Sequence, residues 1–452
     1  MFKTRTKLQI TPLFPELWNG STLDQGLVSI ENIEVTGVSY LFAYEFFSKV
    51  YQLNGFDDLD NKLLKDLVII RTIEPASKLR SLTLLNKYFG FRYTPNIVYK
   101  NLKFIGELKP EAEAQAVEYA RKHLGFDFSL VFYDVTTLYF EAFHDDELRK
   151  CGFSKDSKSN QPQILIALVV NEDGYPIACQ IFEGNKFEGH TFIPTILKLK
   201  KVYNISNLTI VADAAMLSFD NIKELKSCGL SYIVGARIAN LSSKLIKEVS
   251  STINHRENVY FKTQTNHGLL ICDWSKKRAT KDKSDRTKQL KRAYQQIQES
   301  SSFKKLKFIK EETKSKFILN QELIDKNEIL EGIKGYYTNL QVDGVDEKLV
   351  IARYKELWQI EKSFRIAKSD LLARPIFHRK KENIEAHILI VFISLCLAKS
   401  IELKTNLSLK KIKEAVWEIV DVEFQDKLTG KKFIKRTDIN SNEVLKLLDQ
   451  IN

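Results

Sequence analysis

The sequence predicts a mixed α/β protein: a helical N-terminal region, a sheet covered on both faces, a basic insertion, and a return to the sheet layer. Three observations carry this. Apolar residues recur at three- and four-residue spacing through most of the first 127 positions. From about residue 128 that period gives way to short runs rich in β-branched and aromatic side chains, separated by polar turns. Between Lys276 and Arg292 nine of seventeen positions are Lys or Arg with few apolar anchors, the composition of a solvated arm or a surface that binds a phosphate backbone.

After a short extended start, the periodicity places helices over Val38–Leu53, Lys62–Ile73, Ala76–Tyr88, Asn96–Leu108 and Ala112–Leu124, punctuated by Glu74-Pro75 and Thr94-Pro95. Arg71, Lys78, Arg80, Lys87, Arg92, Lys100 and Lys103 fall among the middle three. Short helices joined by tight turns can present such residues to DNA; an ordinary helical domain with solvated lysines fits the same pattern.

Ser129–Phe140 reads as a buried central strand. Beyond the polar loop Gly152–Asn160, strands over Ile164–Val170 and Ile177–Phe182 flank Asn171-Glu-Asp-Gly174, a hairpin signal. A helix over Thr191–Lys201 leads to a strand ending at Asp213, a helix over Phe219–Ser227 and a strand over Tyr232–Val234. Three antiparallel strands followed by alternating helix and strand is the order of a ribonuclease-H-like core. Beyond the irregular stretch 239–345, Lys348–Arg353 reads as a short strand and Tyr354–Lys368 as a helix. Asn383–Leu403 reads as a long helix suited to cover a sheet face, and Leu409–Val420 and Asn442–Leu448 as helical pieces around the basic turn segment Lys427–Arg436. The expected division is therefore 1–127 mainly helical and DNA-binding, 128–238 and 346–405 the two parts of the core, 239–345 the insertion, and 406–452 a helical tail.

A carboxylate inside a buried strand is costly unless it is paired, hydrogen-bonded or bound to a metal. Asp134 breaks the apolar run Ser129–Phe140, and Leu208–Asp213 ends in an acid followed by Ala214-Ala215. Each aspartate alone could cap a helix or bond a backbone N–H; two apolar strands each ending in Asp suggest one shared site. Glu361 lies on the apolar stripe of its helix with Tyr354, Leu357 and Lys368 at three- and four-residue spacing, where an ion pair with Arg365 or Lys368 is the plainer alternative. Two aspartates and a glutamate are hard oxygen ligands, suited to Mg²⁺ or Mn²⁺ and not to zinc. A pair of such ions can activate a water or a 3′-hydroxyl in an in-line phosphoryl displacement. No Ser-His-Asp order, P-loop or His-rich motif competes, and the isolated His144, His190 and His378 read as polar surface residues.

Lys and Arg number 69 against 57 Asp and Glu, a formal net charge of +12 over 452 residues, which favours a polyanionic partner. Five widely spaced cysteines without a Cys-x-x-Cys pair argue against a disulfide framework or zinc cluster and for a reducing compartment. No apolar signal core follows the first residues, and the most apolar run, Ile388–Ala398, is eleven residues, short for a bilayer. The expectation is a buried helix in a cytoplasmic protein with no membrane partner.

Phe132-Tyr-Asp-Val-Thr-Thr137, Gly152-Phe-Ser-Lys-Asp156, Gly184-Asn185, Val211-Ala-Asp-Ala-Ala215 and the segment from Tyr354 to Leu371-Leu-Ala-Arg-Pro375 together resemble the DDE-class transposases with an insertion-sequence-4-type catalytic domain, most closely the insertion sequence 1634 branch. The likeness covers roughly residues 128 to 400, with a fainter match around Glu74-Pro-Ala-Ser-Lys78. In the wider family the last helix carries a tyrosine, an arginine, the catalytic glutamate and a lysine; here Tyr354, Glu361 and Lys368 keep the spacing, and Leu357 stands where the arginine is expected.

The resemblance implies cut-and-paste DNA transposition, with Asp134, Asp213 and Glu361 as catalytic ligands of two Mg²⁺ (or Mn²⁺) ions. It implies DNA contacts from Tyr354, Lys368, Arg365 and Lys155, and makes Trp274 the candidate to stack on a flipped base at a hairpin end, core packing being its alternative. The implied partners are double-stranded DNA, as terminal inverted repeats and target, and a second copy of the chain on that DNA. The implied setting is a bacterial or archaeal cytoplasm, associated with the nucleoid. A ribonuclease-H-like nuclease without strand transfer, or an inactive DNA-binding derivative, would share these residues. Glu188, beside Gly184-Asn185, is the next acid in line should Glu361 prove misplaced.

Overall fold

The computed structural model describes residues 30–141, 144–153, 160–216, 218–299, 306–313, 316–340 and 346–437. The extended start, Lys155 and Asn442–Leu448 lie outside the described residues. The chain forms two compact units: a discontinuous one made of 1–123 and 365–452, and a continuous one, Leu124–Phe364.

The first unit begins with β1 (Ile33–Ser39), α1 (Leu41–Leu53), α2 (Lys62–Ile73), α3 (Lys78–Phe89), α4 (Pro95–Glu107) and α5 (Lys109–Leu124), the five helices that the periodicity predicts. Asn61, Ser77 and Thr94 each accept a hydrogen bond from the backbone N–H three residues on, which fixes the starts of α2, α3 and α4. Pro95 takes the first turn of α4, where its missing donor costs nothing. Two basic residues read as DNA contacts are buried instead. Arg71 is 3% exposed and donates to the carbonyls of Ala76, Leu371 and Leu372. Lys78 is 4% exposed, with its ammonium 3.4 Å from His387 Nδ1. Arg80, Lys87, Arg92, Lys100 and Lys103 stay exposed.

The second unit runs through β2 (Leu130–Tyr139), β3 (Gln163–Val170), β4 (Pro176–Glu183), α6 (Gly189–Tyr203), β5 (Thr209–Ala212), α7 (Phe219–Ser227) and β6 (Ser231–Ala236). It continues with α8 (Ser243–Ile253), β7 (Phe261–Thr265), β8 (Gly268–Trp274), α9 (Lys276–Glu299), β9 (Ile309–Thr313), β10 (Lys316–Leu319) and α10 (Gln321–Ile329). It ends with β11 (Ile333–Thr338), α11 (Glu347–Lys355) and α12 (Trp358–Arg365). One sheet has the order β4-β3-β2-β5-β6-β11-β8-β7. Its first three strands are antiparallel, and β2, β5 and β6 are parallel, which is the ribonuclease-H-like arrangement. Every residue of β3 is buried, and β2 is buried except at Asp134 and Tyr139, as expected of strands covered on both faces.

Two readings need correction here. Lys348–Arg353 is not a strand but most of α11. Asp346 caps it by accepting from Lys348 N, and its buried residues Val350, Ile351 and Tyr354 fall at helical spacing. Tyr354 therefore closes α11, the chain turns at Glu356-Leu357, and Glu361 rides on the separate α12. The stretch 239–345, expected to be irregular, supplies β7, β8 and β11 to the main sheet as well as the basic α9. Ala293 of α9, Phe308 and Ile324 form a small separate apolar cluster with Leu290, Ile309, Leu319 and Leu323.

The first unit resumes with a π turn (Ile366–Asp370), α13 (Lys381–Thr405), α14 (Leu409–Trp417), β12 (Asp421–Asp426) and β13 (Lys432–Arg436). β12 pairs with both β1 and β13, giving a three-stranded sheet in this unit. α13 is long and apolar enough to cross a membrane by length and composition. Every residue from Ala386 to Ile401 is nevertheless buried, with α1, α2 and α4 packed against the helix. Read from sequence as a sheet cover, it is the central helix of the first unit, because apolar residues all round a helix require neighbours all round. His378, read as a surface residue, is 9% exposed in the same region.

Candidate active site

The sheet register assembles the site. Tyr133 of β2 pairs with Ala212 of β5, and Ala212 with Val234 of β6. The next residues on the three strands are thus Asp134, Asp213 and Gly235, and Gly235 pairs in turn with Tyr336 of β11. Residues in one row across a sheet share a face, with neighbouring strands about 4.8 Å apart. Asp134 and Asp213 therefore stand side by side on one face; Asp213 directly follows the end of β5, whereas Asp134, read from the sequence as ending its strand, lies in the middle of β2, which runs on to Tyr139.

Gly235 leaves a gap in that row, and the Tyr354 hydroxyl fills it. A Cβ at position 235 would lie 2.5 Å from that oxygen and 3.1 Å from the Ala214 amide nitrogen. The hydroxyl donates to Asp213 Oδ1 at 3.2 Å. The Ala214 N–H donates to the same oxygen at 2.7 Å, and the Val135 N–H to Asp134 Oδ1 at 2.7 Å. Each aspartate thus bonds a backbone N–H, the plainer reading of each, and the two still sit together. Burial and the charge of Asp213 push the Tyr354 phenol well above its ordinary range, so it stays a donor.

Glu361 is exposed on α12, and its charge reaches both Tyr354 and Lys334, as that of Asp213 does. Lys334 lies on β11 with its ammonium 4.3 Å from the centre of the Tyr354 ring. Burial lowers its pKa, as does Arg278, while Asp213, Asp273 and Glu361 raise it. Tyr336 meets Tyr354 edge-on at 4.9 Å and donates to Asp273 Oδ1 at 3.1 Å. Asp273, paired across the strands with Lys334, is 8% exposed, and desolvation raises its pKa. A cavity of about 700 Å³ opens beside Asp213 and Tyr354, lined also by Arg237, Arg278, Arg286 and Lys334.

Among the described residues no three His, Cys, Asp or Glu side chains gather closely enough to enclose a metal ion. Asp134 and Asp213 are paired by the register, and Glu361 is related to them only through its charge on Tyr354 and Lys334. The other sequence-predicted residues are more scattered. Arg365 ends α12 with an exposed side chain, and Lys368 is half-buried in the π turn; both belong to the first unit. Lys155 lies outside the described residues. Trp274 ends β8, its Nε1–H donating to the Glu331 carbonyl at 3.0 Å and its ring 5.9 Å from that of His255. Glu188 stands at the N-cap position of α6 without a side-chain cap bond, and its charge, like that of Asp134, raises the phenol pKa of Tyr133.

Sequence reasoning missed Gly235, Asp273, Arg278, Lys334 and Tyr336. An isolated glycine inside Ser231–Ala236 is a signal of close approach by another group. Lys334 and Tyr336 could not be placed without recognising β11.

Residues 126–397 match the family model described as the transposase DDE domain. No match is found among curated proteins. Among solved structures the chain is similar to a piggyBac transposase in a synaptic complex with hairpin DNA. The likeness has 11% sequence identity and a TM-score of 0.39, and covers 84% of this chain and 70% of that one.

Proposed function

Because the chain belongs to the transposase DDE-domain family, whose model spans more than half of it, we propose that it moves an insertion sequence, cutting DNA at the element's ends and joining them to a target by divalent-metal-dependent phosphoryl transfer. The observation that supports this most is the in-register pair Asp134 and Asp213, with Tyr354 bonded to one of them. Within the family, the motifs from Phe132 to Pro375 favour an insertion-sequence-4-type domain of the insertion sequence 1634 branch.

Asp134, Asp213 and Glu361 are the proposed ligands of two Mg²⁺ or Mn²⁺ ions. The donor set fits, being all carboxylate oxygen. Bound there, a divalent cation supplies Lewis acidity and charge compensation at the reacting phosphate. Tyr354 and the Ala214 N–H both bond Asp213 Oδ1, which holds that oxygen in place and leaves Oδ2 to be the proposed ligand atom. Tyr354 thus acts through Asp213 as a positioning residue. Lys155, Arg365 and Lys368 are proposed to hold the DNA backbone, as are the exposed lysines of α9 and the exposed basic residues of α3 and α4. A base-stacking role for Trp274 at a hairpin end requires its indole to leave the Glu331 carbonyl. Two copies of the chain acting on paired ends complete the reading.

The test is cleavage and strand transfer on DNA spanning the gene's flanks, with precut ends supplied for the joining step. Asp134→Ala, Asp213→Ala and Glu361→Ala should each lower cleavage by at least about a thousandfold while end binding survives. A variant that still cuts at the wild-type rate removes its residue from the site. Cleavage without joining by the wild type would make the protein a nuclease.

A further inference from the structure

Lys334 sits two residues before Tyr336 on β11, on the face that carries the acids. Its half-buried ammonium rests between aromatic neighbours, 4.3 Å from the Tyr354 ring centre and 5.9 Å from that of Tyr336. Asp213, Asp273 and Glu361 are all within its electrostatic reach, yet among the described residues it makes no ion pair. Arg278, in the first turn of α9, lines the same cavity, and its charge reaches Lys334 and Tyr354. Its own partner, Asp282, is a loose 3.5 Å away. A third cation of the cavity differs: Arg286 is fully engaged by Glu331 at 2.6 Å and Glu328 at 3.2 Å. Two cations facing one space repel each other, and an anion between them reverses the sign of that cost.

Resting on the transposase reading above, we infer that Lys334 and Arg278 clamp one DNA phosphodiester next to the reacting one, so that the strand passes from Asp213 and Tyr354 into the cavity beside them. Neither residue lies on the helices that carry Tyr354 and Glu361. The clamp is built from a sheet strand and the root of the basic helix. Lys334 as a mere counter-charge to the acids is the competing account. The two differ in what the ammonium does when one DNA phosphate is made neutral.

The experiment uses the full chain and a duplex of the gene's own flanking sequence. In metal-free buffer, the slope of log K against log salt should shrink by about one for Lys334→Ala, by about one for Arg278→Ala and by about two for the double variant. In cleavage, Lys334→Ala should lose about 10- to 100-fold at saturating DNA, with Lys334→Arg within about threefold of wild type. A single neutral methylphosphonate that slows the wild type should cost Lys334→Ala nothing further. Unchanged slopes, or a methylphosphonate penalty that is additive at every position, overturn the clamp. A wild-type chain that binds but does not cut refutes the cleavage reading alone, because the slopes judge the clamp without it. Thermal melting within about two degrees of wild type, or the same result from Lys334→Gln, separates the clamp from a folding defect.

Discussion

Replacing Gly235 by alanine places a methyl group where Tyr354 reaches Asp213. The added Cβ would lie 2.5 Å from the Tyr354 hydroxyl, and real Cβ contacts essentially never fall below 3.0 Å. The hydroxyl must therefore retreat by at least about 0.5 Å, and a retreat away from Asp213 carries its 3.2 Å bond to Asp213 Oδ1 past the roughly 3.5 Å limit of a hydrogen bond. The Ala214 amide, at 3.1 Å, must also yield by a few tenths of an ångström. A hydrogen bond to a charged group contributes about 1.5–3 kcal/mol, so single-turnover cleavage should fall by about 10- to 100-fold. DNA binding should stay near wild type, because the change leaves every cation in place. Tyr354→Phe removes the same bond and the clashing oxygen together. The double variant Gly235→Ala, Tyr354→Phe should then cleave about as well as Tyr354→Phe alone, a non-additivity expected only of groups in contact. Wild-type cleavage by Gly235→Ala, or losses that simply multiply in the double variant, would refute the account of the gap.

Two further outcomes follow from other regions. Neutralising Lys277, Lys281, Lys288 and Lys291, all exposed on α9, should reduce the salt slope of DNA binding by about 0.9 for each lysine that meets a phosphate; an unchanged slope makes the helix a solvated arm. His378 is pushed down to about 4 from 6.5 by burial and by the charges of Lys78 and Arg71, and His387 is pushed the same way. Both histidines are depressed below their unfolded values, so the unfolded chain binds more protons and stability falls as pH drops from about 6.5 towards 4. His378 alone accounts for on the order of 3 kcal/mol of that loss. Melting curves should show it, and His378→Gln should flatten the acid limb.

Much of the site could be read from residue order because a charge in an apolar strand is hard to overlook. Asp134 and Asp213 stand out on that ground, and the hairpin turn and the one helix between them, α6, fix the strand order that makes them neighbours. The five early helices were legible because their apolar stripes and caps agree. What failed depended on distant partners. Lys348–Arg353 is a short apolar run whose period fits strand or helix, and it is the packing of Val350, Ile351 and Tyr354 that decides for helix. β8 and β11 pair across the whole of α9 and the β9–β10 hairpin, a distance no local pattern spans. Arg71 looks like a surface cation until the carbonyls of Leu371 and Leu372, about 300 residues on, take its donors.

The discontinuity of the first unit also sets an order of assembly. Its β1 has β12 as strand partner, and α2 and α4 meet their principal neighbour in α13, yet both partners are made after the entire second unit, Leu124–Phe364. On the ribosome the nested unit is complete while its host still lacks its central helix, the reverse of the usual amino-terminal-first sequence. If the nested unit folds first, the two segments of the host are joined through a folded unit in place of a flexible loop of more than two hundred residues. Loop-closure entropy grows only slowly with length, so the gain lies less in final stability than in rate. Until α13 emerges, α2 and α4 lack their principal cover, and a nascent chain arrested before residue 381 exposes apolar surface on which chaperones and proteases act.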